Sequence, residues 1–209
     1  MWLGNRSAIL LAVFVASSAP QDSPSPASLI KDLQAADVNV RRDAATRVQF
    51  AGRPVQRQAL PALIELLKKE NDGQVRLAVL DTLTTLGPDA ASAAPVLVEA
   101  FHTDPKDNDQ EQRHQDFRAA LALAAIGKPA VDGLRTLLKQ RKEWIRSEAV
   151  MALGRIGPEA APAVPDLVAL LPSASERIGR TINRSPPRCA WLSSTAIFWL
   201  RKANSLTAA

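Results

Sequence analysis

Cysteine, histidine and tyrosine are scarce in this chain of 209 residues, which has one cysteine, two histidines and no tyrosine. A single cysteine, Cys189, cannot form an internal disulfide, and one cysteine with two histidines is too few for a structural zinc site of several such ligands. A Ser-His-Asp centre would have to use His102 or His114, and no G-x-S-x-G, P-loop or G-x-G-x-x-G motif occurs. The composition therefore predicts a protein with no catalytic residues, no metal and no other cofactor.

Apolar runs long enough to cross a membrane are also absent. Residues 8–15 form an apolar run of signal-peptide length, well short of the ~20 residues that a bilayer requires. Arg6 precedes the run, and small residues follow at 16–19. We expect residues 1–19 to be a signal peptide that exports the protein to the periplasm or beyond. An uncleaved first helix that packs on the rest of the chain is the alternative.

Positive charge is in excess, with a net charge of +5, but it is unevenly distributed. Residues 174–209 carry six basic side chains against Glu176 alone, which accounts for the whole excess. Residues 1–173 are therefore electroneutral. A duplex-binding groove needs several phosphate-facing basic residues, so the charge pattern predicts no specific nucleic-acid partner.

A nine-residue phrase occurs twice. Residues 87–95 read Gly-Pro-Asp-Ala-Ala-Ser-Ala-Ala-Pro, and residues 157–165 read Gly-Pro-Glu-Ala-Ala-Pro-Ala-Val-Pro. The two copies are 70 positions apart, which fits two units of about 35 residues. Internal repetition at that period is typical of a solenoid, in which each unit packs only on its neighbours.

One unit reads as a helical hairpin. Apolar residues recur at helical spacing before a polar break, at Leu60, Leu63, Ile64 and Leu67, and again after it, at Val75, Val79, Leu83 and Leu86. Asn71 or Asp72 can cap the second helix at its start. Gly87 tolerates a left-handed conformation at its end, and Pro88 prevents its continuation.

The hairpin pattern recurs along the chain. First helices share a leucine at Leu29, Leu63, Leu97, Leu134 and Leu167. Second helices are predicted to end at Gly52, Gly87, Gly127 and Gly157. An arginine that follows Val or Ile stands eleven residues before three of these glycines, at Arg41, Arg76 and Arg146. We also expect Ser25 and Pro26 to start the first helix, and Leu66, Phe101 and Phe117 to lie in the core.

These phrases resemble the HEAT repeat family. Residues 59–67 (Ala-Leu-Pro-Ala-Leu-Ile-Glu-Leu-Leu) and 145–157 (Ile-Arg-Ser-Glu-Ala-Val-Met-Ala-Leu-Gly-Arg-Ile-Gly) look like its two helices, in the short bacterial variety related to phycobilisome-lyase repeats. The resemblance covers residues 27–173 and implies an all-α, right-handed α-solenoid of about four and a half hairpins. A Ser/Pro linker at 20–26 precedes it. The third unit departs from the repeat pattern, because Gln115-Asp116 stands at the position of the Val-Arg pair.

The resemblance further implies that the second helices line a concave face and that their arginines form a ladder between units. It suggests a non-enzymatic scaffold that binds another protein. Exposed side chains of the second helices are then the candidate partner-binding residues, namely Arg47, Asp81, Thr84, Thr85 and Arg155. Trp144 is either a further anchor for the partner or a cap on the hydrophobic seam.

Two other functions are alternatives to the scaffold. The related bilin lyases suggest a cofactor-handling protein, but they act inside cells and the repeats here contain no cysteine. HEAT-like DNA glycosylases suggest nucleic-acid binding, against which the neutral solenoid argues. The acidic segment 104–111 between the two histidines is interpreted as an exposed polar loop rather than a metal site.

The tail at residues 174–209 departs from the repeat pattern. It contains Pro186-Pro187 and a short apolar stretch with Trp191, Phe198 and Trp199. Either these aromatic residues cap the last helix, or the tail is divergent and unpacked.

Overall fold

The computed structural model describes residues 25–102 and 110–170. The predicted signal peptide at 1–19, the tail at 174–209 and most of the segment 104–111 lie outside the described residues. The described part contains helices joined by short turns, with no strand. The α-helices are α1 (Pro26–Asp32), α2 (Val38–Phe50), α3 (Arg53–Lys69), α4 (Gly73–Leu86), α5 (Ala94–Glu99), α6 (Gln110–Ile126), α7 (Val131–Leu137), α8 (Glu143–Ile156) and α9 (Val164–Leu170). Short 3-10 segments cover Gly87–Ala93, Ala100–His102, Lys128–Ala130 and Gly157–Ala163.

The helices pair as hairpins and stack in two rows. The odd-numbered helices α1, α3, α5 and α7 pack in sequence as one row, and α2, α4, α6 and α8 pack in sequence as the other. The all-α solenoid predicted from the repeat is therefore confirmed. In the described part of the chain, no helix is both long and apolar enough to span a membrane.

Within residues 25–102, side chains cap the starts of α1, α2 and α4. The hydroxyl of Ser25 accepts a hydrogen bond from the Ser28 amide at 3.1 Å, with Pro26 at the first helical position. The carboxylate of Asp72 accepts from the Val75 amide at 3.0 Å, so Asp72 rather than Asn71 caps α4. Both predicted helix starts are therefore confirmed. In each of them, a short oxygen-bearing side chain accepts a hydrogen bond from a free amide of the first turn.

Three glycines end the second helices, but not in the left-handed helical conformation that the sequence suggested. Gly87, Gly127 and Gly157 have φ between 59° and 82° and ψ between −126° and −144°. This is the mirror image of extended backbone, a region that glycine enters because it has no Cβ. It turns the chain directly into the following 3-10 segment.

Gly52 does not end a helix, contrary to the prediction. α2 ends at Phe50, with Ala51 as its C-cap, and Gly52 is the N-cap of α3 with an ordinary φ of −62°. The first two units are joined without the 3-10 segment that follows Gly87, so a glycine-specific conformation is not needed there.

The core follows the predicted apolar stripes. All five first-helix leucines are buried, and so are Val75, Val79, Leu83 and Leu86 of α4. Phe101 is buried and Leu66 packs against the core at partial exposure. Phe117 was also predicted to be core, but 38% of it is exposed. It stands on α6 one position after the buried Asp116.

The ladder between units is confirmed at Arg41. Its Nε donates to Glu70 Oε2 at 2.6 Å and a terminal nitrogen donates to Glu70 Oε1 at 3.1 Å. The other terminal nitrogen donates to the carbonyls of Ala35 and Ala36 in the turn of its own unit. Arg41 thus closes the turn of the first unit and binds the second unit at the C-cap of α3.

Arg76 repeats this arrangement one unit later. Its Nε donates to Gln115 Oε1 of α6 at 2.6 Å, and a terminal nitrogen donates to the carbonyls of Leu67 and Glu70. The acceptor is an amide rather than a carboxylate, because the third unit departs from the pattern here. The ladder therefore joins the units at two successive boundaries of the described stack.

Candidate partner-binding face

The exposed side of the second-helix row is the candidate site, and we call it the second-helix face. Equivalent positions on it can be counted from the ladder arginines. Phe50, Thr85 and Arg155 each stand nine residues after one of them, and all three are exposed. This position therefore points away from the first helices in every unit that has a ladder arginine.

A groove of about 260 Å³ crosses three helices of this face. Side chains from α2, α4 and α6 line it, namely Arg42, Thr46, Gln49, Gln74, Leu77, Ala78, Asp81 and Arg118. Most of the lining is polar, with Leu77 and Ala78 as the apolar part. The groove can thus offer hydrogen bonds and a small apolar surface to the same ligand.

Asp81 lies at the centre of the groove. Its Oδ1 accepts from a terminal nitrogen of Arg118 at 2.9 Å, and its Oδ2 accepts from Gln49 Nε2 at 3.4 Å. The pair with Arg118 is partly exposed, with 26% of the Asp81 side chain and 37% of the Arg118 side chain accessible. One carboxylate therefore connects α2, α4 and α6 and fixes the shape of the groove.

Arg42 forms the upstream end of the groove. A terminal nitrogen donates to Asp72 Oδ2 at 2.7 Å, and this hydrogen bond is the main reason that the pKa of Asp72 is lowered. Asp72 therefore stays charged while it caps α4. Ion pairs with a neighbouring unit therefore engage two of the lining arginines, Arg42 and Arg118.

Thr84 and Thr85, two predicted partner-binding residues, lie on α4 beyond the groove. Each hydroxyl donates within the helix, from Thr84 to the Leu80 carbonyl at 2.8 Å and from Thr85 to the Asp81 carbonyl at 3.0 Å. Thr84 is half-buried and Thr85 is exposed. Their oxygens can still accept a hydrogen bond from a ligand.

Arg47 and Arg155 are both exposed, but the structure places them differently. Arg155 is on the second-helix face at the equivalent of Thr85. Arg47 stands six residues after its ladder arginine, and the equivalent residues Thr82 and Ala152 are fully buried. Arg47 therefore lies on the side of α2 that faces the N-terminal end of the solenoid, where it pairs with Asp43 at 2.9 Å.

Trp144 lies in the seam between α6 and α8. Its indole nitrogen donates to Asp116 Oδ2 at 3.2 Å, and Lys142 and Arg113 lie over its ring at 5.0 and 5.7 Å from the centroid. Asp116 is 3% exposed, and burial raises its pKa. Because Trp144 supplies a hydrogen bond to a buried carboxylate, its contacts are those of a cap on the seam.

Sequence reasoning missed Phe50, the most exposed aromatic residue in the part of the chain that the structure describes. Phe50 at the end of α2 is 80% exposed. Its equivalence to Thr85 and Arg155 was the available signal, because both of those residues were predicted to be exposed. Single exposed apolar side chains are common on protein surfaces, so Phe50 bears on binding only through its position on the second-helix face, next to Gln49 of the groove.

A second groove, of about 570 Å³, lies beside the ladder between α1 and α3. Arg41 and Glu70 line it together with Leu33 and Ala62, which are both buried. Arg41 and Glu70 are already paired with each other, and the other polar side chains of the lining are Gln34, Glu65 and Lys69. Among the described residues, no cluster of His, Cys, Asp or Glu is arranged to hold a metal ion.

The comparisons with known proteins bear on the repeat. A comparison with curated proteins finds no match. The family described as HEAT repeats matches residues 26–115 and 106–182, well over half of the chain. Proteins built from such repeats are generally scaffolds for protein interactions, and the stack of helical hairpins has the architecture that the match requires. The chain belongs to the HEAT repeat family.

Proposed function

We propose that the protein is a non-enzymatic scaffold that binds another protein on its second-helix face, which the resemblance to HEAT repeats implies is the concave face of the solenoid. The observation that carries the proposal is the groove across α2, α4 and α6 beside the exposed Phe50. Aromatic side chains commonly dominate the energy of protein interfaces. The groove adds hydrogen-bonding groups that give an interface its orientation.

The contacts between units support the same function. Arg41 and Arg76 join neighbouring units at two boundaries. The Asp81–Arg118 ion pair joins α4 to α6 on the face itself. A preformed surface binds with little loss of conformational entropy. The face therefore presents Phe50, Thr85 and Arg155 at set positions before any partner arrives.

The binding test compares substitutions on the two sides of the molecule. The protein is used as bait in an extract of its source, as wild type and as the variants Phe50→Ser, Arg155→Ala and Lys128→Ala. Lys128 is exposed and lies in the 3-10 segment before α7, outside the second helices. We expect one protein to be retained by wild type and by the Lys128 variant and to be lost from the other two. Equal retention by all four would overturn the proposal.

We further propose that residues 1–19 export the protein, on the basis of the apolar run and the arginine before it. Intact-mass measurement of the protein from its source tests this. A mass that lacks about the first 18 or 19 residues is expected, because small residues suitable for cleavage end the run. A full-length mass in the cytoplasmic fraction would contradict export and leave the scaffold proposal intact.

A further inference from the structure

The side of α2 that faces the N-terminal end of the solenoid is open. Val40 is 39% exposed and Arg47 is exposed, whereas the equivalent residues of α4, Val75 and Thr82, are fully buried. α4 packs against α2 before it, but no second helix precedes α2 in the described part of the chain. A surface that is buried in the next unit is therefore accessible on α2.

Four exposed residues line this side of α2, namely Val40, Asp43, Arg47 and Phe50, and we call them the α2 stripe. Each residue of an α-helix is rotated by about 100° from the one before it, so the four side chains fall within about 80° of the helix surface. They extend for about 15 Å along the helix, at a rise of about 1.5 Å per residue. The stripe thus has an apolar residue at each end and two opposite charges between them.

The two charges in the centre of the α2 stripe limit what can cover it. Arg47 and Asp43 pair at 2.9 Å, with 53% of the Arg47 side chain and 60% of the Asp43 side chain accessible. An ion pair this exposed contributes little to stability, so either group can turn towards an opposing surface. An apolar occupant would take the pair out of water without offering it a further partner, which is costly. The occupant that fits therefore carries charges at matching positions.

The α2 stripe is complementary to a second copy of itself. When two α2 helices pack antiparallel about a two-fold axis level with Ala45, residues equally far before and after Ala45 lie opposite each other. Val40 then faces Phe50 of the other copy, and Asp43 faces Arg47 of the other copy, because both pairs are centred on residue 45. A two-fold axis makes every such contact occur twice. One arrangement therefore matches apolar residues to apolar residues and each charge to its opposite.

We infer that two copies of this protein associate through the α2 stripe in an antiparallel, two-fold arrangement. The inference goes beyond the proposed function, because the occupant is a second copy and not another protein. Phe50 belongs to both surfaces, whereas Thr85 and Arg155 lie on α4 and α8, outside the stripe. Four side chains per copy are far fewer than the roughly 20–30 residues per side of a standard interface. The association is therefore weak, and monomers prevail at low protein concentration.

Charge reversal tests the pairing. Analytical ultracentrifugation of the purified full chain, from about 1 µM to about 1 mM, is expected to show a monomer–dimer equilibrium. Asp43→Arg and Arg47→Asp should each abolish the dimer, because like charges then oppose each other across the axis. An equimolar mixture of these two variants should restore it, since every arginine of one copy then meets an aspartate of the other.

The matched control is Glu65→Arg, which reverses a charge in another exposed ion pair, with Lys68, and should leave the equilibrium unchanged. A monomer at every concentration overturns the inference, as it would if another part of the chain covered the α2 stripe. A dimer that persists in both single variants also overturns it, because the copies would then associate through another surface. A mixture that stays monomeric overturns the two-fold arrangement.

The apolar ends of the α2 stripe provide a second test. Val40→Ser should weaken the dimer about tenfold or more, because a two-fold axis makes the lost contact count twice. Phe117→Ser is the matched control, since Phe117 is 38% exposed on α6 and lies outside the stripe, and it should leave the dimer unchanged. Equal effects of the two substitutions overturn the inference. Arg155 is unchanged in every variant, so the loss of a partner protein from Arg155→Ala is measured independently of the dimer.

Discussion

Arg41 and Glu70 form a two-bond ion pair across the boundary between the first two repeat units, with Nε to Oε2 at 2.6 Å and a terminal nitrogen to Oε1 at 3.1 Å. The Glu70 side chain is 4% exposed and also accepts from the amides of Asn71 and Asp72. One carboxylate therefore joins two units and caps the turn before α4. The pKa of Glu70 is lowered, chiefly by the hydrogen bond from Arg41.

Glu70→Gln is expected to lower the free energy of unfolding at pH 7 by about 1.5–3 kcal/mol, the usual contribution of hydrogen bonds to a charged group. Urea unfolding monitored by circular dichroism measures it. Glu65→Gln is the control, because Glu65 makes only an exposed pair with Lys68, and it should leave stability unchanged.

The same pair predicts sensitivity to acid. A carboxyl group whose folded pKa is depressed stabilises the fold above its unfolded pKa, and this contribution is lost as the pH falls through the folded pKa. The stability advantage of wild type over Glu70→Gln should therefore shrink as the pH falls below the ordinary value of 4.5. An advantage that stays constant from pH 7 to pH 3 would show that the charge of Glu70 does not matter.

Asp116 should show the opposite pH dependence. Its pKa is raised, chiefly by burial, so protonation favours the folded state. Its contribution is fully present below the ordinary value of 3.8 and is lost as the pH rises through the folded pKa. Wild type should therefore gain stability relative to Asp116→Asn as the pH falls from 7 towards 4. Parallel stability curves for the two proteins would contradict the burial effect.

Gly127→Ala tests the conformation at the ends of the second helices. Gly127 has φ of 82°, and a Cβ there would meet nothing closer than 3.7 Å, so the cost is backbone strain alone. We expect a loss of about 1–3 kcal/mol in the free energy of unfolding. Gly52→Ala is the matched control, since its φ is ordinary and the nearest atom lies at 3.6 Å. Equal losses in the two variants would contradict this interpretation.

Phe50 and Phe101 should respond differently to truncation. Phe101 is 2% exposed, and Phe101→Ala should cost about 3–5 kcal/mol of stability because it leaves a cavity. Phe50→Ser should change stability by no more than about 0.5 kcal/mol, because the side chain is already 80% exposed. A large loss from Phe50→Ser would mean that the ring is structural and not part of a binding surface.

Much of the fold was predictable because the sequence signals that specify it recur from one repeat unit to the next. Helical spacing of leucines, capping by Asp72 and the glycine before Pro88 are local signals, and each led to the observed element. Gly52 was assigned wrongly because it resembles the other glycines in sequence position while the chain around it joins the units without a 3-10 segment. Phe117 was assigned wrongly because apolar character alone does not tell which side of a helix faces the core.

The site was less predictable. Asp81 was identified as an exposed residue of a second helix, but its partner Arg118 was not. That pair depends on how α4 and α6 align, and the longer third unit shifts this alignment by five residues relative to the other units. Ion pairs between units depend on stacking geometry, which the periodicity of a sequence does not specify.

Site-specific photo-cross-linking tests the central claim most directly. A photoreactive amino acid is placed in turn at Phe50, Thr85 and Arg155 on the second-helix face, and at Ser92, Glu99 and Lys128 as exposed positions outside it. Each protein is irradiated in its native compartment, and cross-linked species are identified by mass spectrometry. The account predicts the same protein partner at the three face positions and none at the other three. A partner captured only at Ser92, Glu99 or Lys128 would contradict it.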